Sequence, residues 1–204
     1  KPLVKIGDKP IIWHLMKIYS YFDINEFIIC LGYKGEILKK ELNRIKGKWK
    51  IQYVNTGLKT MTGGRIKRIK KYLDNERFFL TYGDGVANIN IKKLLNFHKK
   101  TKGIATLTAV RPPARFGAIK IKRNKVTIFR EKSSLDEGWI NGGFFVMEQK
   151  IFEYLKNDRT YLERDPLTIL GKRGKLSAFK HNDFWQCMDT LRDKEILEKK
   201  INKL

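Results

Sequence analysis

Cysteine is scarce in this chain: Cys30 and Cys187 are the two in 204 residues. That is too few for a disulfide framework, so a reducing, cytoplasmic setting is the expectation. Long apolar runs are absent too. No window approaches the run of about 20 residues that a spanning helix needs, so neither a membrane partner nor a secretory leader is expected. Histidine is sparse, and His14, His98 and His181 have no ligand-like spacing, which argues against a zinc site. No Ser/His/Asp or Cys/His arrangement suggests nucleophilic catalysis. Acidic residues are the last shortage: 21 Asp and Glu stand against 44 Lys and Arg, a formal net charge of +23.

What remains is an ordinary globular composition, 42% hydrophobic. A chain of this size buries roughly 70% of its unfolded surface, enough for one substantial core. The charge has two readings, a nucleic-acid face or an anion-handling enzyme from a lysine-biased proteome. Nucleic-acid binders concentrate charge in a patch or arm with interleaved aromatics, whereas here Lys and Arg occur in every segment. The densest run, Arg65 to Lys71, carries Ile66, Ile69, Tyr72 and Leu73 at helical spacing and reads as the solvated face of an amphipathic helix. Small anionic substrates are therefore expected, and no nucleic acid.

The stretch Phe78-Phe79-Leu80-Thr81-Tyr82-Gly83-Asp84-Gly85 organises the rest. Its apolar run reads as a buried parallel strand, and ligands gather beyond the carboxyl ends of strands in open α/β sheets. Asp84 sits at such an end between two glycines, ready for a cation or a sugar hydroxyl. A Gly-Asp-Gly turn closing a hairpin reads the residues equally well.

Ahead of it, Pro10 suits the first turn of a helix running to about Phe22, Phe27–Leu31 reads as a strand, a basic helix follows to about Ile45, and Ile51–Asn55 is a strand again. A helix capped by Asn90 reaches about Lys100. This alternation predicts an α/β fold with a mixed, mostly parallel sheet flanked by helices. Beyond Ala105–Val110 the pattern changes to a hairpin turning near Arg123-Asn124, a strand over Trp139–Glu148 with a glycine pair inside, and a helix opened by Asp165-Pro166. Residues 1–204 read as a single domain.

Four segments carry reactive side chains. Lys1-Pro2 offers a cation beside a rigid loop, although a terminal lysine is ordinarily just solvated. Thr60-Met61-Thr62-Gly63-Gly64-Arg65 is a small-residue loop opening a helix; it fits an anion on free N–H groups, or simply a helix start. Glu131-Lys132 with Trp139-Ile140-Asn141-Gly142-Gly143 suits sugar hydroxyls, or a hairpin with exposed charges. Asp189 directly precedes a helix, where Asp is a preferred N-cap. Its neighbour Trp185 is either core or a stacking surface. Taken together, separated carboxylates, a lysine, an arginine and a glycine-flanked loop suit Mg²⁺-assisted phosphoryl or nucleotidyl transfer.

At this point the residues resemble the glucose-1-phosphate cytidylyltransferases. Lys1-Pro2-Leu3-Val4-Lys5-Ile6-Gly7, Ile28-Ile29-Cys30-Leu31-Gly32-Tyr33-Lys34-Gly35, Asn55-Thr56-Gly57, the Thr60–Arg65 loop, Tyr82-Gly83-Asp84-Gly85, Trp139–Gly143 and Phe184–Asp193 run in that family's order over nearly the whole chain. The resemblance implies a GT-A-like nucleotidyltransferase fold with a small β-hairpin sugar-binding part. It also implies transfer of a cytidylyl group from CTP to α-D-glucose 1-phosphate, giving CDP-glucose and pyrophosphate. By the same resemblance Lys1, Asp84 and Asp189 are catalytic, the two aspartates as Mg²⁺ ligands. Lys1, Thr60, Gly64, Arg65 and Gly83 meet the nucleotide; Glu131, Lys132, Asn141, Gly142 and Trp185 hold the sugar phosphate. A homo-oligomer is implied too.

Three departures stand out. The family begins with an apolar strand and a glycine-rich loop ending Gly-Thr-Arg, whereas this sequence starts after that loop, so the sequence is expected to be incomplete there. The stretch from Glu36 to Trp49 is shorter than in the family, and a second gap is expected near Lys46-Gly47-Lys48. Cys187 replaces a proline and Asp8 a glycine, both at flanking positions. The alternatives to a cytidylyltransferase are a uridylyl- or thymidylyltransferase of the same fold, or a catalytically inactive subunit that binds nucleotide sugars.

Overall fold

The computed structural model describes residues 1–45, 47–74, 76–113, 118–130 and 138–201. Short strands β1 (Lys5–Ile6) and β2 (Lys9–Pro10) lead into helix α1 (Ile11–Ser20), followed by β3 (Glu26–Leu31), α2 (Gly35–Asn43) and β4 (Lys50–Asn55). Next come α3 (Thr62–Ile69), β5 (Phe78–Thr81), β6 (Gly85–Ala87), α4 (Ile91–Thr101) and β7 (Ala105–Val110). The hairpin β8 (Ala118–Lys122) and β9 (Lys125–Arg130), the long strand β10 (Ile140–Met147), α5 (Asp165–Lys172), β11 (Leu176–His181), β12 (Trp185–Cys187) and α6 (Leu191–Ile201) complete the order. No described helix is long and apolar enough to cross a membrane.

The α/β class and the mixed sheet are as the alternation predicts, but "mostly parallel" needs correcting. β3–β4 and β7–β11 are parallel, while β10 lies antiparallel between β5 and β7 in the order β11-β7-β10-β5, and β6–β12, β1–β2 and β8–β9 are antiparallel. Among the described residues β3 pairs with β4 alone and β5 with β10 alone. The Phe78 run is therefore antiparallel to its one described neighbour rather than a strand within a parallel set. Its continuous apolar character has another cause. Phe78 and Leu80 face one core and Phe79 the other, so both sides of the strand are covered.

β10 divides those two cores by the same period-2 alternation. Phe144 and Val146 pack with Ile11, Leu15 and Leu94, whereas Phe145 and Met147 pack with Ile66, Ile151 and Leu170. A third cluster, Ile12, Met16 and Leu42, seats α1 and α2 against β3–β4. The Gly142-Gly143 pair inside β10 has two local reasons. A Cβ on Gly142 would meet Val110 Cγ1 at 2.7 Å, and Gly143 adopts φ +79° where the register against β7 shifts. The hairpin turns at Arg123-Asn124 as expected, with φ of +46° and +64°, the left-handed pair that a two-residue turn requires.

Two helix starts differ from the sequence reading. Pro10 stands just before α1, not within it. α3 begins at Thr62, so Gly63 and Gly64 lie within its first turn and are buried. The reason is close packing on the segment before α5: a Cβ on Gly64 would come within 2.6 Å of Asp158 Cα and 2.7 Å of its carbonyl oxygen. Gly171, in α5, has open space around it. Gly64→Ala is therefore expected to destabilise the fold by about 1–3 kcal/mol, and Gly171→Ala to stabilise it by up to about 1 kcal/mol. Urea unfolding midpoints check the opposite signs.

Candidate active site

Lys1 is positioned by what α1 requires. The first N–H groups of a helix lack intrahelical partners; those of Ile11 and Ile12 donate to the carbonyls of Val4 and Pro2 at 3.0 and 3.2 Å. Val4 N–H in turn donates to Lys1 O at 2.8 Å. Asp84 lies in the turn between β5 and β6, so the Gly-Asp-Gly stretch closes no hairpin: the two strands belong to different sheets. β6 instead pairs with β12, Gly85 opposite Cys187, and Met188 N–H donates to Asp84 O at 2.8 Å.

That ladder carries Asp84 beside Asp189, from the far end of the chain. The ammonium of Lys1 joins them, with Nζ 2.5 Å from Asp189 Oδ1 and 3.9 Å from Asp84 Oδ2. All three side chains are partly exposed. Burial holds the Asp84 carboxyl above its usual range, Lys1 opposes that shift, and repulsion from Asp189 adds to it. The hydrogen bond to Asp189, aided by both carboxylate charges, raises the Lys1 ammonium.

The start of α6 is closed by a different pair from the one expected. Thr190 Oγ1 accepts from Asp193 N–H at 3.2 Å, and Asp193 Oδ2 accepts from the N–H groups of Thr190 and Asp189 at 3.0 and 3.2 Å. This is a capping box with aspartate in the reciprocal position. Asp193 is buried and also accepts from Gln186 Nε2 at 2.9 Å. The box fixes the backbone of Asp189 while the Asp189 carboxylate meets Lys1.

These two carboxylates fit a magnesium ion on their chemistry: hard oxygen donors facing one another and sharing a cation. Among the described residues no group of three His, Cys, Asp or Glu could hold a metal. Magnesium accepts such a sparse protein contribution, since it takes one or two carboxylates and completes its shell with water and phosphate.

The Thr60–Arg65 segment is not the open loop that the sequence suggests. Met61 N–H donates to Asp158 O at 2.8 Å and Gly64 N–H to Thr160 O at 3.2 Å. Thr62 Oγ1 donates to Glu163 Oε2 at 2.6 Å and accepts from Leu162 N–H at 2.9 Å. Thr60 is buried beside Gly57 and Gly64. Arg65 donates to Leu31 O at 3.1 Å and Thr56 Oγ1 at 2.6 Å, so its guanidinium spans the carboxyl ends of β3 and β4. Gly83 lets Pro2 approach, as a Cβ there would lie 3.2 Å from Pro2 Cγ.

Asn141 and Trp185 converge on the same place from the other side. Trp185 Nε1 donates to Gly142 O at 2.8 Å, beside Gly85. Asn141 Oδ1 accepts from Gly143 N–H at 2.9 Å, and Asn141 Nδ2 donates to Tyr82 OH at 3.4 Å. Tyr82 OH donates to Glu163 Oε1 at 2.5 Å. Burial first, and then that bond, raise the phenol well above its ordinary range. Tyr82 and Glu163 thus link Asn141 to the start of α3, a connection absent from the sequence reading. Tyr82 was visible within Tyr-Gly-Asp-Gly, but Glu163 carries no local signal. Glu131 and Lys132 lie outside the described residues.

With this geometry in view, the sequence profile described as nucleotidyl transferase matches residues 1–187. The chain is 46% identical over 221 residues to the glucose-1-phosphate cytidylyltransferase of Salmonella typhimurium, covering 97% of this chain and 86% of that protein. The same figures hold for the glucose-1-phosphate cytidylyltransferase of Salmonella typhi. In fold the chain is similar to the crystal structure of HddC from Yersinia pseudotuberculosis, with a TM-score of 0.78, 24% identity and coverage of 98% and 89%.

Two outcomes test the geometry. A carboxyl held above its usual range costs folding free energy when ionised, so the cost is present above the raised pKa and vanishes as pH falls through it. Asp84→Asn is therefore expected to raise the metal-free melting midpoint at neutral pH by a few degrees at most, with no gain in acid, as read by calorimetry across pH. Thr190→Ala is expected to cost about 1 kcal/mol through loss of the cap, measured by urea unfolding.

Proposed function

The chain belongs to the nucleotidyl transferase family, and we propose that it transfers a cytidylyl group from CTP to α-D-glucose 1-phosphate, releasing pyrophosphate and forming CDP-glucose. The observation that carries this reading is the convergence of Asp84 and Asp189 on the Lys1 ammonium, in a chain sharing 46% identity with named glucose-1-phosphate cytidylyltransferases.

In the reaction, a phosphate oxygen of the sugar phosphate attacks the α-phosphorus of CTP, and the bond to the departing pyrophosphate breaks. Asp84 and Asp189 would hold Mg²⁺, which supplies Lewis-acid polarisation of the phosphates and a template for attacker and leaving group. Lys1 has a compact charge on a flexible stem, so the ammonium that lies against Asp189 can turn to phosphate oxygens and offset charge as it develops. Arg65 and Thr60, with Gly64 and Gly83, would border the nucleotide. Asn141, Gly142 and Trp185, together with Glu131 and Lys132, would hold the sugar and its phosphate.

A homo-oligomer working in the cytoplasm is part of the same proposal.

Pyrophosphate release from each nucleoside triphosphate with glucose 1-phosphate tests the reaction: CTP is expected to be the preferred donor, and preference for UTP or dTTP would favour the sister activities. Asp84→Asn and Asp189→Asn are each expected to lower turnover by orders of magnitude while circular dichroism stays unchanged. Near-normal CDP-glucose formation by either variant would refute the metal role.

A further inference from the structure

Away from Lys1, Asp84 and Asp189, a cavity of about 590 Å³ opens within the span from Glu153 to Arg173. Its size falls in the range of small-molecule sites, roughly 300–1,000 Å³. It shares no lining residue with the candidate active site. Four cations line it, Lys156, Arg159, Arg164 and Arg173, against two carboxylates, Glu153 and Asp165.

On a chain this basic, exposed arginines are ordinarily just solvated. Three features set these apart. They surround a concavity rather than a convex helix face. Two of them are oriented by aromatic rings: the Arg164 guanidinium lies 4.3 Å over Tyr161 and that of Arg173 5.8 Å over Tyr154, whose hydroxyl it also reaches at 3.4 Å. A guanidinium held over a ring keeps N–H groups at its edge, of which Arg173 spends one on Tyr154, and that planar fork matches phosphate oxygens. Finally, none of the four is ion-paired among the described residues. Asp158, which precedes Arg159, is taken by Arg68 through two bonds of 2.9 and 2.6 Å, and Glu163, which precedes Arg164, accepts from Thr62 and Tyr82.

We propose that this cavity is a second anion site, one that binds a small molecule carrying two or more phosphate groups. Two phosphates match the surplus of cations over carboxylates, and the volume leaves room for an organic body between the tyrosine rings. The backbone of the same segment closes the first turn of α3 through Asp158 and Thr160.

The test is calorimetric titration of the full, metal-free chain with inorganic pyrophosphate. It compares Arg164→Gln/Arg173→Gln with a matched charge loss on α4, Lys99→Gln/Lys100→Gln. The expected result is that the arginine pair weakens one binding event about tenfold or more, as fits the loss of two charge-assisted contacts, while the lysine pair leaves it within about twofold. An absence of effect from the arginine pair overturns the proposal, as does equal weakening by both pairs, which would mark diffuse charge attraction. CDP-glucose formation is not the readout, so failure here is separate from failure of the cytidylyl-transfer reading.

Discussion

Two carboxylates brought together around a partly buried turn repel one another unless a cation or a shared proton offsets their charge. That constraint governs how this molecule is put together. Asp84 and Asp189 are brought together by the β6–β12 ladder, and the ammonium of Lys1 occupies the space between their oxygens. The lysine comes from the loop whose carbonyls complete the first turn of α1. A helix start, a strand pair and a helix cap thus each contribute one charged group. Burial, with repulsion from Asp189 adding to it and Lys1 opposing it, raises the affinity of Asp84 for a proton, and a divalent ion would relieve that repulsion more fully than one ammonium can.

The surroundings of the triad are held by polar links with little slack. Asn141, Tyr82, Glu163 and Thr62 form a hydrogen-bonded series from β10 to the start of α3. It joins the residues expected to meet the sugar to those expected to meet the nucleotide. The Asn141–Tyr82 bond is partly buried, whereas the two bonds to Glu163 are exposed.

Much of this was legible in the residues, and the failures have identifiable causes. The apolar run ending in Asp84 announces a strand tip because period and composition are local properties. Its antiparallel, two-core environment is not local: an uninterrupted apolar run looks the same whether a strand lies between helices or between two side-chain clusters. Asp189 read as a helix cap because that is the commonest use of Asp before a helix. The Thr190–Asp193 box was written in the sequence as Thr-x-x-Asp, but the aspartate occupies a place more often held by Glu or Gln. The glycines of the Thr-Met-Thr-Gly-Gly-Arg stretch suggested an open cradle; their actual use, close packing on Asp158 and Thr160, depends on a segment almost a hundred residues away. Glu163 was invisible for the same reason.

β10 has a consequence for how the molecule comes apart. Because its alternate side chains form a wall of both cores, neither core can loosen without exposing the other. β7 and β11, and through β5 the turn that holds Asp84, depend on the same strand. Loosening of β10 would therefore expose both cores at once, and hydrogen exchange at its amides is expected to be among the slowest in the fold. The turn that holds Asp84 follows a strand paired with β10, while Lys1 comes from the loop leading into α1. The two carboxylates and the ammonium of the site thus come from three separate elements, and the sheet supports the Asp84 turn directly.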